Sequence, residues 1–397
     1  MFGKQGACDS RSSRLRGMEH IRNYLGERIT AGDFPSAVYL VAEKGEIVLH
    51  EAVGFAVVEP EKIEAKIDTI YDLASLTKVL VTGLLTAKLI EDEKFQIDGR
   101  VAVYLPEFDT EGMRTITVLD LLTHVSHLPA WKPLYLAVSD SSEVIHEIGQ
   151  THLNFDQEPV TYSDLNFIAL GTLIERIFNK PLGRVAFDHI FRALNLNKTC
   201  FNPPERLKRM IAASERGNKF ERQTCIEYGY LSSSAADKQP VAAGRGSDPL
   251  RNYDIWGEVH DGNAYFMGGV AGHAGLFSTS EETFMIAQQF LPTYTTLLYP
   301  ETCEIFRRNF TEGMNEDRSF AFQLASTTDS TAGTKMSPES FGHLGFTGTS
   351  LWIDPVRERV FILLTNRTHN HNLPFVNINS VRREFHDLAI DFLDKNL

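Results

Sequence analysis

Residues 71–78 read YDLASLTK, and the run after them, from 79 to 90, is rich in valine, leucine and isoleucine. Ser75 and Lys78 are three positions apart, so on a helix they share one face, with Cβ atoms about 5–6 Å apart. A serine hydroxyl is a poor nucleophile on its own, and a partly desolvated lysine can activate it. The helix N-terminus adds backbone N–H groups that favour developing negative charge. The pattern predicts a catalytic serine and lysine, although an N-cap serine followed by a solvated lysine would look the same.

Two later segments carry further polar groups with a possible chemical role. Residues 160–167 (VTYSDLNF) put Tyr162 and Asp164 at the predicted start of a helix, where a polar residue would also serve as an ordinary cap. Residues 341–350 (FGHLGFTGTS) lead into a predicted hairpin near the end of the chain. Their glycines allow a strand edge to approach a ligand closely, and a backbone N–H there would suit an oxyanion. Without such a role, His343 would be a structural histidine.

The composition is that of a soluble globular enzyme. The chain has 397 residues, of which 43% are hydrophobic and 23% charged, and its formal net charge is −13. This charge argues against nucleic acid or an anionic membrane surface as a partner, and no stretch approaches the roughly 18 apolar residues of a membrane span. The four cysteines are scattered, so we expect free thiols in a reducing compartment. Residues 1–17 lack the apolar core of a secretory signal, and we predict a cytoplasmic protein.

The hydrophobic pattern predicts an α/β (α+β) fold in which both ends of the chain build one antiparallel sheet. Residues 18–30 have apolar positions at helical spacing, and a hairpin follows over 37–50. The chain ends with a second hairpin, over 349–365, and an amphipathic helix over 378–392. The helices at the two ends would flank the shared sheet.

The middle of the chain differs from its ends and favours a division into two domains. Residues 140–230 are mostly helical in pattern, and residues 232–249 indicate a loop. A chain of this length also exceeds the usual size of one hydrophobic core. We predict a flexible leader over 1–17, an α/β sheet domain from 18–105 and 280–397, and a mainly helical insertion at 106–279, with the active site in the cleft between the two domains.

Together the three motif segments resemble the S-x-x-K, Y-x-N and K-T-G signatures of the serine β-lactamase superfamily. The likeness is particularly to class C β-lactamases and their esterase and penicillin-binding relatives. Residues 121–129 (LLTHVSHLP), 272–279 (GHAGLFST) and 349–355 (TSLWIDP) are also similar to segments of that family. The resemblance covers the chain from about residue 18 onward, and it implies the β-lactamase/transpeptidase-like fold.

The resemblance implies a role for each motif residue. Ser75 would be acylated, Lys78 would hydrogen-bond it, and a low-pKa Tyr162 would accept the serine proton and pass it to the leaving group. A phenol has a pKa of about 10, and a neighbouring ammonium lowers it. The backbone N–H groups of Ser75 and Phe346 would form the oxyanion hole, and water activated at Tyr162 would complete deacylation. No cofactor is implied, and the substrate would be a small ester, amide or β-lactam.

Three positions depart from the family pattern. Asp164 stands where asparagine is usual, His343-Leu344-Gly345 replaces K-T-G, and His127 replaces a loop glycine. The first two departures exchange an amide donor for a carboxylate and remove a permanent cation that would hold a substrate carboxylate. Histidine at the lysine position is typical of carboxylesterase members, so the departures favour an esterase for short-chain acyl esters. The residues expected to contact the substrate are Asp164, His343, Gly345 and His127.

Two alternatives to the esterase remain: a D-alanyl-D-amino-acid peptidase or β-lactamase, and a non-catalytic binding protein on the same fold. The predicted cytoplasmic location favours the esterase, because peptidoglycan and its antibiotics lie outside the membrane. No serine stands in a G-x-S-x-G elbow, which disfavours an α/β-hydrolase. The histidines lack H-x-x-x-H or H-E-x-x-H spacing, so the sequence predicts no metal site.

Overall fold

The computed structural model describes residues 5–232 and 250–394, with side chains from residue 16 onward. The first helix begins at Gln5, well before the predicted start at residue 18, so most of the predicted leader has helical backbone. Residues 1–4 of that leader and residues 233–249 of the predicted loop lie outside the described residues.

Strands occur mainly near the two ends of the chain. In the described residues they are β1 (Ser36–Glu43), β2 (Glu46–Val57), β3 (Ile63–Glu64), β4 (Tyr71–Asp72), β5 (Cys200–Phe201), β6 (Leu276–Ser278), β7 (Gln323–Leu324), β8 (Phe341–Leu344), β9 (Ser350–Asp354) and β10 (Arg359–Thr365).

Helices form the first and last elements and most of the middle. In the described residues the α-helices are α1 (Gln5–Ala31), α2 (Leu84–Glu91), α3 (Val118–Leu122), α4 (Leu134–Ala137), α5 (Val144–Gly149), α6 (Asp164–Phe178), α7 (Leu182–Ala186), α8 (Lys219–Glu227), α9 (Gly262–Phe266), α10 (Ser280–Ala287) and α11 (Asn379–Asp394). Two π-helical turns, Lys78–Gly83 and Phe187–Phe191, lead into α2 and follow α7. Short 3₁₀ turns cover Val101–Val103, Pro106–Phe108, Ser141–Glu143, Glu205–Met210, Gln288–Phe290 and Pro300–Phe306.

The main sheet joins the two ends of the chain, as the sequence predicts. Among the described residues it has seven strands in the order β3-β2-β1-β10-β9-β8-β7, with every neighbouring pair antiparallel. The first hairpin and the last meet where β1 pairs with β10, and Leu40 lies opposite Ile362. The β-lactamase/transpeptidase-like arrangement of a sheet with terminal helices and a helical region inserted between them is therefore confirmed.

Both faces of this sheet are covered, because alternate residues of a strand point to opposite sides. On one face, Tyr39 and Phe361 pack with Ile21 of α1 and Phe385 of α11. On the other face, residues such as Leu40 join the large cluster that contains the helix following Ser75. This burial on both sides explains why the interiors of β1 and β10, residues 37–42 and 360–364, are continuously apolar rather than alternating.

A second, smaller sheet brings distant segments to the helix that carries the candidate lysine. Its strands lie in the order β4-β6-β5, so β6 lies beside the strand that leads into Ser75. The Leu276 N–H donates to Thr77 Oγ1 at 3.1 Å, and Thr82 Oγ1 donates to the Gly272 carbonyl at 2.6 Å. The segment 272–279 is thereby fixed against the start of the helix.

The helical middle of the chain agrees with prediction in character but not in every element. Residues 140–230 are mainly helical, yet they also contain β5, a two-residue strand with no pattern of its own. The domain boundaries at 105/106 and 279/280 stay a prediction. Cys200, Cys225 and Cys303 are free thiols, and Cys8 lies among the residues without described side chains. None of the described helices is both long enough and apolar enough to cross a bilayer.

Candidate active site

Ser75 follows a backbone turn that is held from several sides. Ala74, just before it, has a φ of 47°, a left-handed conformation that costs a non-glycine residue about 1–2 kcal/mol. The buried Asp72 side chain accepts a hydrogen bond from the Ala74 N–H at 2.9 Å and another from the His260 N–H at 2.7 Å. Thr347 Oγ1 donates to the Asp72 carbonyl at 2.8 Å. These contacts stabilise the strained turn and fix the position of the serine.

Lys78 is buried beneath Ser75 and contacts three polar groups. Its side chain is 0% exposed, and Nζ donates to Ser75 Oγ at 2.9 Å and to the His273 carbonyl at 3.1 Å. The same nitrogen lies 2.7 Å from Asp164 Oδ1. Burial favours a lower pKa for Lys78, but the charges of Asp164 and Tyr162 together outweigh it and raise the pKa above its ordinary value. Lys78 is therefore an ammonium that donates to the serine oxygen.

The loop after α3 positions Tyr162, which lies just before α6. His124 in this loop has a φ of 62°. Its Nδ1 accepts a hydrogen bond from the Ser163 N–H at 3.0 Å, and its carbonyl accepts one from the Thr161 N–H at 3.0 Å. The rings of His124 and Tyr162 lie 4.7 Å apart. The segment 121–129, which the resemblance identifies only as a family stretch, thus holds the tyrosine by its two neighbours.

The predicted low pKa of Tyr162 is wrong for this structure. Burial raises the pKa of its phenol, the Lys78 ammonium lowers it, and the Asp164 carboxylate raises it again; hydrogen bonds with Lys78 and Ser75 also lower it, and the net change is upward. The carboxylate cancels part of the effect that the ammonium would otherwise have on the phenol. Besides Asp164, four charged or titratable side chains from different segments surround the Tyr162 ring. Measured to the centre of that ring, Lys78 Nζ lies at 5.0 Å, Arg318 Cζ at 5.6 Å, and the ring centres of His124 and His343 at 4.7 and 5.7 Å.

The backbone N–H groups expected to bind an oxyanion border one cavity. Ser75 and Phe346 both line it, and neither N–H donates a hydrogen bond to an acceptor in the described part of the chain. Gly345, just before Phe346, also lines it and has no room for a side chain. A Cβ there would lie 1.9 Å from Thr349 Oγ1 and 2.6 Å from the Leu73 carbonyl. Glycine is required because the strand end passes directly against the turn before Ser75.

The cavity has a volume of about 420 Å³ and combines aromatic walls with charged groups of both signs. Its aromatic side chains are Trp131, Tyr162, Phe220, Tyr228, His260 and Phe346, and its carboxylates are Asp164, Glu221 and Asp261. Arg367 and Arg382 are its cations on the side of Gly345 and Phe346. This volume is in the range of small-molecule sites, which are concave and contain a few placed polar groups.

Comparisons with known proteins agree with this geometry. Residues 21–381 match the family described as Beta-lactamase. A protein of Escherichia coli (strain K12) named "Putative D-alanyl-D-alanine carboxypeptidase" is 30% identical over 381 residues, which is 89% of this chain and 83% of that protein. The chain belongs to the β-lactamase family.

Solved structures with the family fold are similar over nearly the whole chain. One is "EstCE1, a hydrolase with promiscuous acyltransferase activity", with a TM-score of 0.69 and 19% identity over 95% of this chain and 98% of that one. Another is a β-lactamase from Sulfitobacter sp. EE-36, with a TM-score of 0.70 and 17% identity over 96% and 99% of the two chains. At these identities the likeness shows the fold alone. The family assignment makes the chain a serine hydrolase of the β-lactamase family.

Two of the residues expected to contact substrate do not line the cavity. His343 is 4% exposed on β8, with its ring beside Tyr162 and its Nδ1 at 2.8 Å from the Leu344 carbonyl. Burial, then the nearby charges of Lys78 and Arg318, lowers the pKa of His343 well below its ordinary value, so it is neutral. His127 has a φ of 60° and packs on Phe155 at 4.7 Å. Of the four predicted contacts, Asp164 and Gly345 line the cavity.

Arg367 and Arg382 are the site residues that sequence reasoning missed most clearly. Arg382 donates to the carbonyls of Gly345 and Thr349 at 2.9 and 3.0 Å, and Arg367 donates to the Phe346 carbonyl at 2.7 Å. Within the described residues neither guanidinium pairs with a carboxylate. Burial lowers the pKa of Arg367 to about 10 and, together with the charge of Arg367, that of Arg382 to about 9. Both remain cations at neutral pH.

The arginines have no motif that would have identified them, and the same holds for Arg318 and Asp72. Asp72 lies inside the quoted 71–78 segment, but its contact with the His260 N–H joins residues that only the fold brings together. Arg318 is buried with its guanidinium over the Tyr162 ring. In the sequence Arg318 follows two acidic residues, at 316 and 317, and it pairs with the one at 316 at 2.9 Å.

A group of possible metal ligands also lies beside Lys78. Ligand atoms of Asp164, Asp261 and His273 lie within 4.8 Å of one another. The Lys78 ammonium is 2.7 Å from Asp164 and donates to the His273 carbonyl, so a cation from the chain itself already neutralises part of this group. His273 Nε2 also lies 2.9 Å from Asp261 Oδ1. The arrangement is that of an ion-pair network around the lysine.

Proposed function

We propose that this serine hydrolase is a carboxypeptidase for short peptides ending in a D-amino acid, and that it works through an acyl-enzyme at Ser75. The observation that carries the proposal is a pair of arginines, the buried Arg382 and the partly buried Arg367, beside the candidate oxyanion N–H. A permanent cation for a substrate carboxylate is therefore available, although the lysine of K-T-G is absent. His343, from which the sequence favours an esterase, does not line the cavity, and this supports the carboxypeptidase.

The two guanidiniums suit a carboxylate for reasons of charge and shape. Arginine presents a planar fork of N–H groups that binds carboxylates in two-point fashion. Arg382 is 4% exposed, and its Nε is without a hydrogen-bond partner. A buried cation without a counterion is costly, and an anionic substrate group would reduce that cost. Because Arg367 and Arg382 hold the carbonyls of Gly345 and Phe346, a carboxylate bound to them would lie next to the oxyanion N–H.

The names of the relatives support D-amino acids in the proposed substrate. The Escherichia coli relative is named for D-alanyl-D-alanine, and a Salmonella typhimurium (strain LT2) relative with the same name is 30% identical over 382 residues. Such a substrate has a carboxylate one residue beyond the scissile bond. The scissile carbonyl and the terminal carboxylate are therefore close together in the substrate, as the oxyanion N–H groups and the arginine pair are in the protein.

Acylation follows from the contacts around Ser75. Ser75 Oγ attacks the carbonyl carbon of the penultimate residue, and the N–H groups of Ser75 and Phe346 stabilise the oxyanion. The serine proton passes to Tyr162, as its phenolate, and then to the leaving nitrogen as the C–N bond breaks. Lys78 remains an ammonium throughout, donates to the serine oxygen and stabilises the phenolate. The products of this step are the acyl-serine and the free C-terminal amino acid.

Deacylation uses the same groups, with water in place of Ser75 as the nucleophile and Ser75 Oγ as the leaving group. Tyr162 takes a proton from water, whose oxygen attacks the ester carbonyl, and the proton returns to Ser75 Oγ as the acyl group leaves. Since burial raises the pKa of Tyr162, the phenolate is a minor form at neutral pH. The rate of both steps should therefore rise with pH through the alkaline range.

A carboxylesterase is the second candidate, favoured by the aromatic part of the cavity. Trp131, Phe220 and Tyr228 line it together with Phe346, and such surfaces suit the apolar chain of an acyl ester. An ester also needs no carboxylate contact, so it would leave the arginine pair unused.

The test compares D-alanyl-D-alanine with D-alanyl-D-alaninamide and with p-nitrophenyl butyrate on the wild-type enzyme. We expect kcat/KM for the free carboxylate to exceed that for the amide by at least about tenfold, the usual scale of one charge-assisted hydrogen bond. Equal values for the two peptides would remove the role of the arginines. Turnover of the butyrate ester without either peptide would overturn the carboxypeptidase in favour of the esterase.

A further inference from the structure

The side of the cavity that holds Ser75 and Tyr162 is acidic. Asp164, Glu221 and Asp261 come from three separate parts of the chain, the starts of α6 and α9 and the body of α8, and all three line the cavity. The arginine pair lines the same cavity at the Gly345–Phe346 strand end. One small cavity thus presents carboxylates at the nucleophile and guanidiniums beyond it.

One carboxylate oxygen of Asp164 is available to accept a hydrogen bond from a ligand. Its side chain is 17% exposed, and its ion pair with Lys78 uses Oδ1. Oδ2 has no hydrogen-bond donor within the described residues. A carboxylate at this position accepts hydrogen bonds and cannot donate one to a substrate carbonyl, as the amide of asparagine does. It is therefore suited to an N–H group, and best to a charged one.

Asp261 is available in the same way. Its side chain is 21% exposed, and its contacts with His273 Nε2 and the Ala264 N–H, at 2.9 and 2.7 Å, both use Oδ1. Oδ2 has no donor among the residues that the structure describes. Burial raises the pKa of Asp261, but His273 and the other neighbours lower it by more, so this group is ionised. Two carboxylates therefore each leave one acceptor atom unused in the wall of one cavity.

Glu221 extends this acidic side. It is 6% exposed, accepts hydrogen bonds from the Tyr135 hydroxyl at 3.0 Å and the Gly262 N–H at 2.7 Å, and has no cationic partner in the described part of the chain. Burial and then the charge of Asp261 raise the pKa of Glu221 to about 7. A cation bound nearby would favour its ionised form.

We propose that the acyl part of the substrate carries an unblocked ammonium group, which Asp164 and Asp261 bind. This inference rests on the proposed carboxypeptidase function, since the arginines would hold the carboxylate at the other end. The substrate class is then small dipolar peptides, free D-aminoacyl-D-amino acids, rather than the N-acylated peptide ends of a polymer. The carboxylate at position 164 selects for the ammonium, because it repels the carbonyl oxygen of an N-acyl group.

The experiment compares D-alanyl-D-alanine with its Nα-acetyl derivative, which differs only in the ammonium. We expect wild-type kcat/KM to be at least about tenfold higher for the free dipeptide, the scale of a hydrogen bond between charged groups. Asp261→Asn, which keeps the shape and the Oδ1 acceptor, should reduce this ratio by about tenfold. Glu111→Gln removes the same charge from an exposed residue outside the cavity and should leave the ratio unchanged.

The possible results distinguish failure of the ammonium site from failure of the proposed carboxypeptidase function. A ratio of one or less with both dipeptides hydrolysed would overturn the ammonium site and leave the carboxypeptidase intact. An Asp261→Asn enzyme with a wild-type ratio would also overturn it. If neither dipeptide is hydrolysed, the carboxypeptidase fails, and the same comparison is made with D-alanine methyl ester and its N-acetyl derivative, where the free amine should again be preferred.

Discussion

The ammonium of Lys78 lies 2.7 Å from a carboxylate oxygen of Asp164, and both side chains are largely withdrawn from water. This ion pair reduces the net positive charge beside Ser75, because the Asp164 carboxylate offsets the charge of the Lys78 ammonium. Its attraction for a phenolate at Tyr162 is reduced accordingly, and the pKa of Tyr162 is raised. A single departure from the family pattern thus affects the proton acceptor and the wall that meets the substrate.

The first prediction concerns the pH dependence of Asp164→Asn. Asp164 raises the pKa of Lys78 and of Tyr162, so removing its charge should lower both. The base is active when deprotonated, and the rising limb of kcat/KM against pH should move to lower pH in the variant. A pH–rate profile with an ester substrate that carries no ammonium group measures this shift. An unmoved limb, or one that moves to higher pH, would contradict the role given to the ion pair.

The second prediction separates Arg382 from its neighbour on α11. Arg382→Gln should lower the preference for D-alanyl-D-alanine over its C-terminal amide by at least about tenfold, because a charged partner of the carboxylate is lost. Arg383 does not line the cavity, although it donates to the Ser330 carbonyl at 2.9 Å. Arg383→Gln is therefore the matched control. The ratio of the two kcat/KM values is the readout, since a general loss of folded enzyme leaves it unchanged.

The third prediction tests whether His343 stands in for the family lysine. His343→Lys should destabilise the protein by about 3 kcal/mol or more and should not increase peptide hydrolysis, because the new ammonium would be buried near Lys78 and Arg318 without a carboxylate. Urea unfolding gives the stability change. The exposed His152→Lys serves as the control and should be near neutral. Higher peptidase activity in His343→Lys would show that this position does act on the substrate.

Much of the fold follows from local sequence pattern, for identifiable reasons. The strands β9 and β10 and the helix α11 have enough residues for a period to show, and their bounds agree closely with prediction. The strands β4 and β5 have two residues each, too few for any period. Their existence depends on β6 lying between them, which is a property of the whole fold. The predicted cytoplasmic location remains a prediction.

The site residues likewise include some that the sequence identifies and some that it does not. Ser75, Lys78 and Tyr162 are identifiable because their spacing is part of a motif, and the structure brings them together. Arg382 stands directly before Arg383 on an amphipathic helix, and nothing in the sequence around them distinguishes the two arginines. The upward pKa change of Tyr162 depends on burial and on the sum of several charges, which sequence spacing does not contain. The sequence therefore predicts which groups lie close together better than it predicts their protonation states.

The fourth prediction concerns Gly345, where the strand end touches the turn before Ser75. Gly345→Ala should lower the free energy of unfolding by at least about 1 kcal/mol and reduce activity more than tenfold, because its Cβ would overlap Thr349 and the Leu73 carbonyl. Gly26 in α1 has nothing within 4 Å of its Cβ position. Gly26→Ala should therefore be neutral or stabilising by up to about 1 kcal/mol. Comparable effects at the two glycines would contradict the close approach at Gly345.

Acylation of Ser75 is tested most directly by covalent labelling with a fluorophosphonate, followed by intact-protein mass spectrometry and peptide mapping. We expect one adduct per wild-type chain, located on the peptide that contains Ser75, and no adduct on Ser75→Ala. Ser142→Ala, at an exposed serine, should label like the wild type. Labelling of Ser75→Ala to the wild-type extent, or an adduct on another serine of the wild-type enzyme, would contradict Ser75 as the nucleophile.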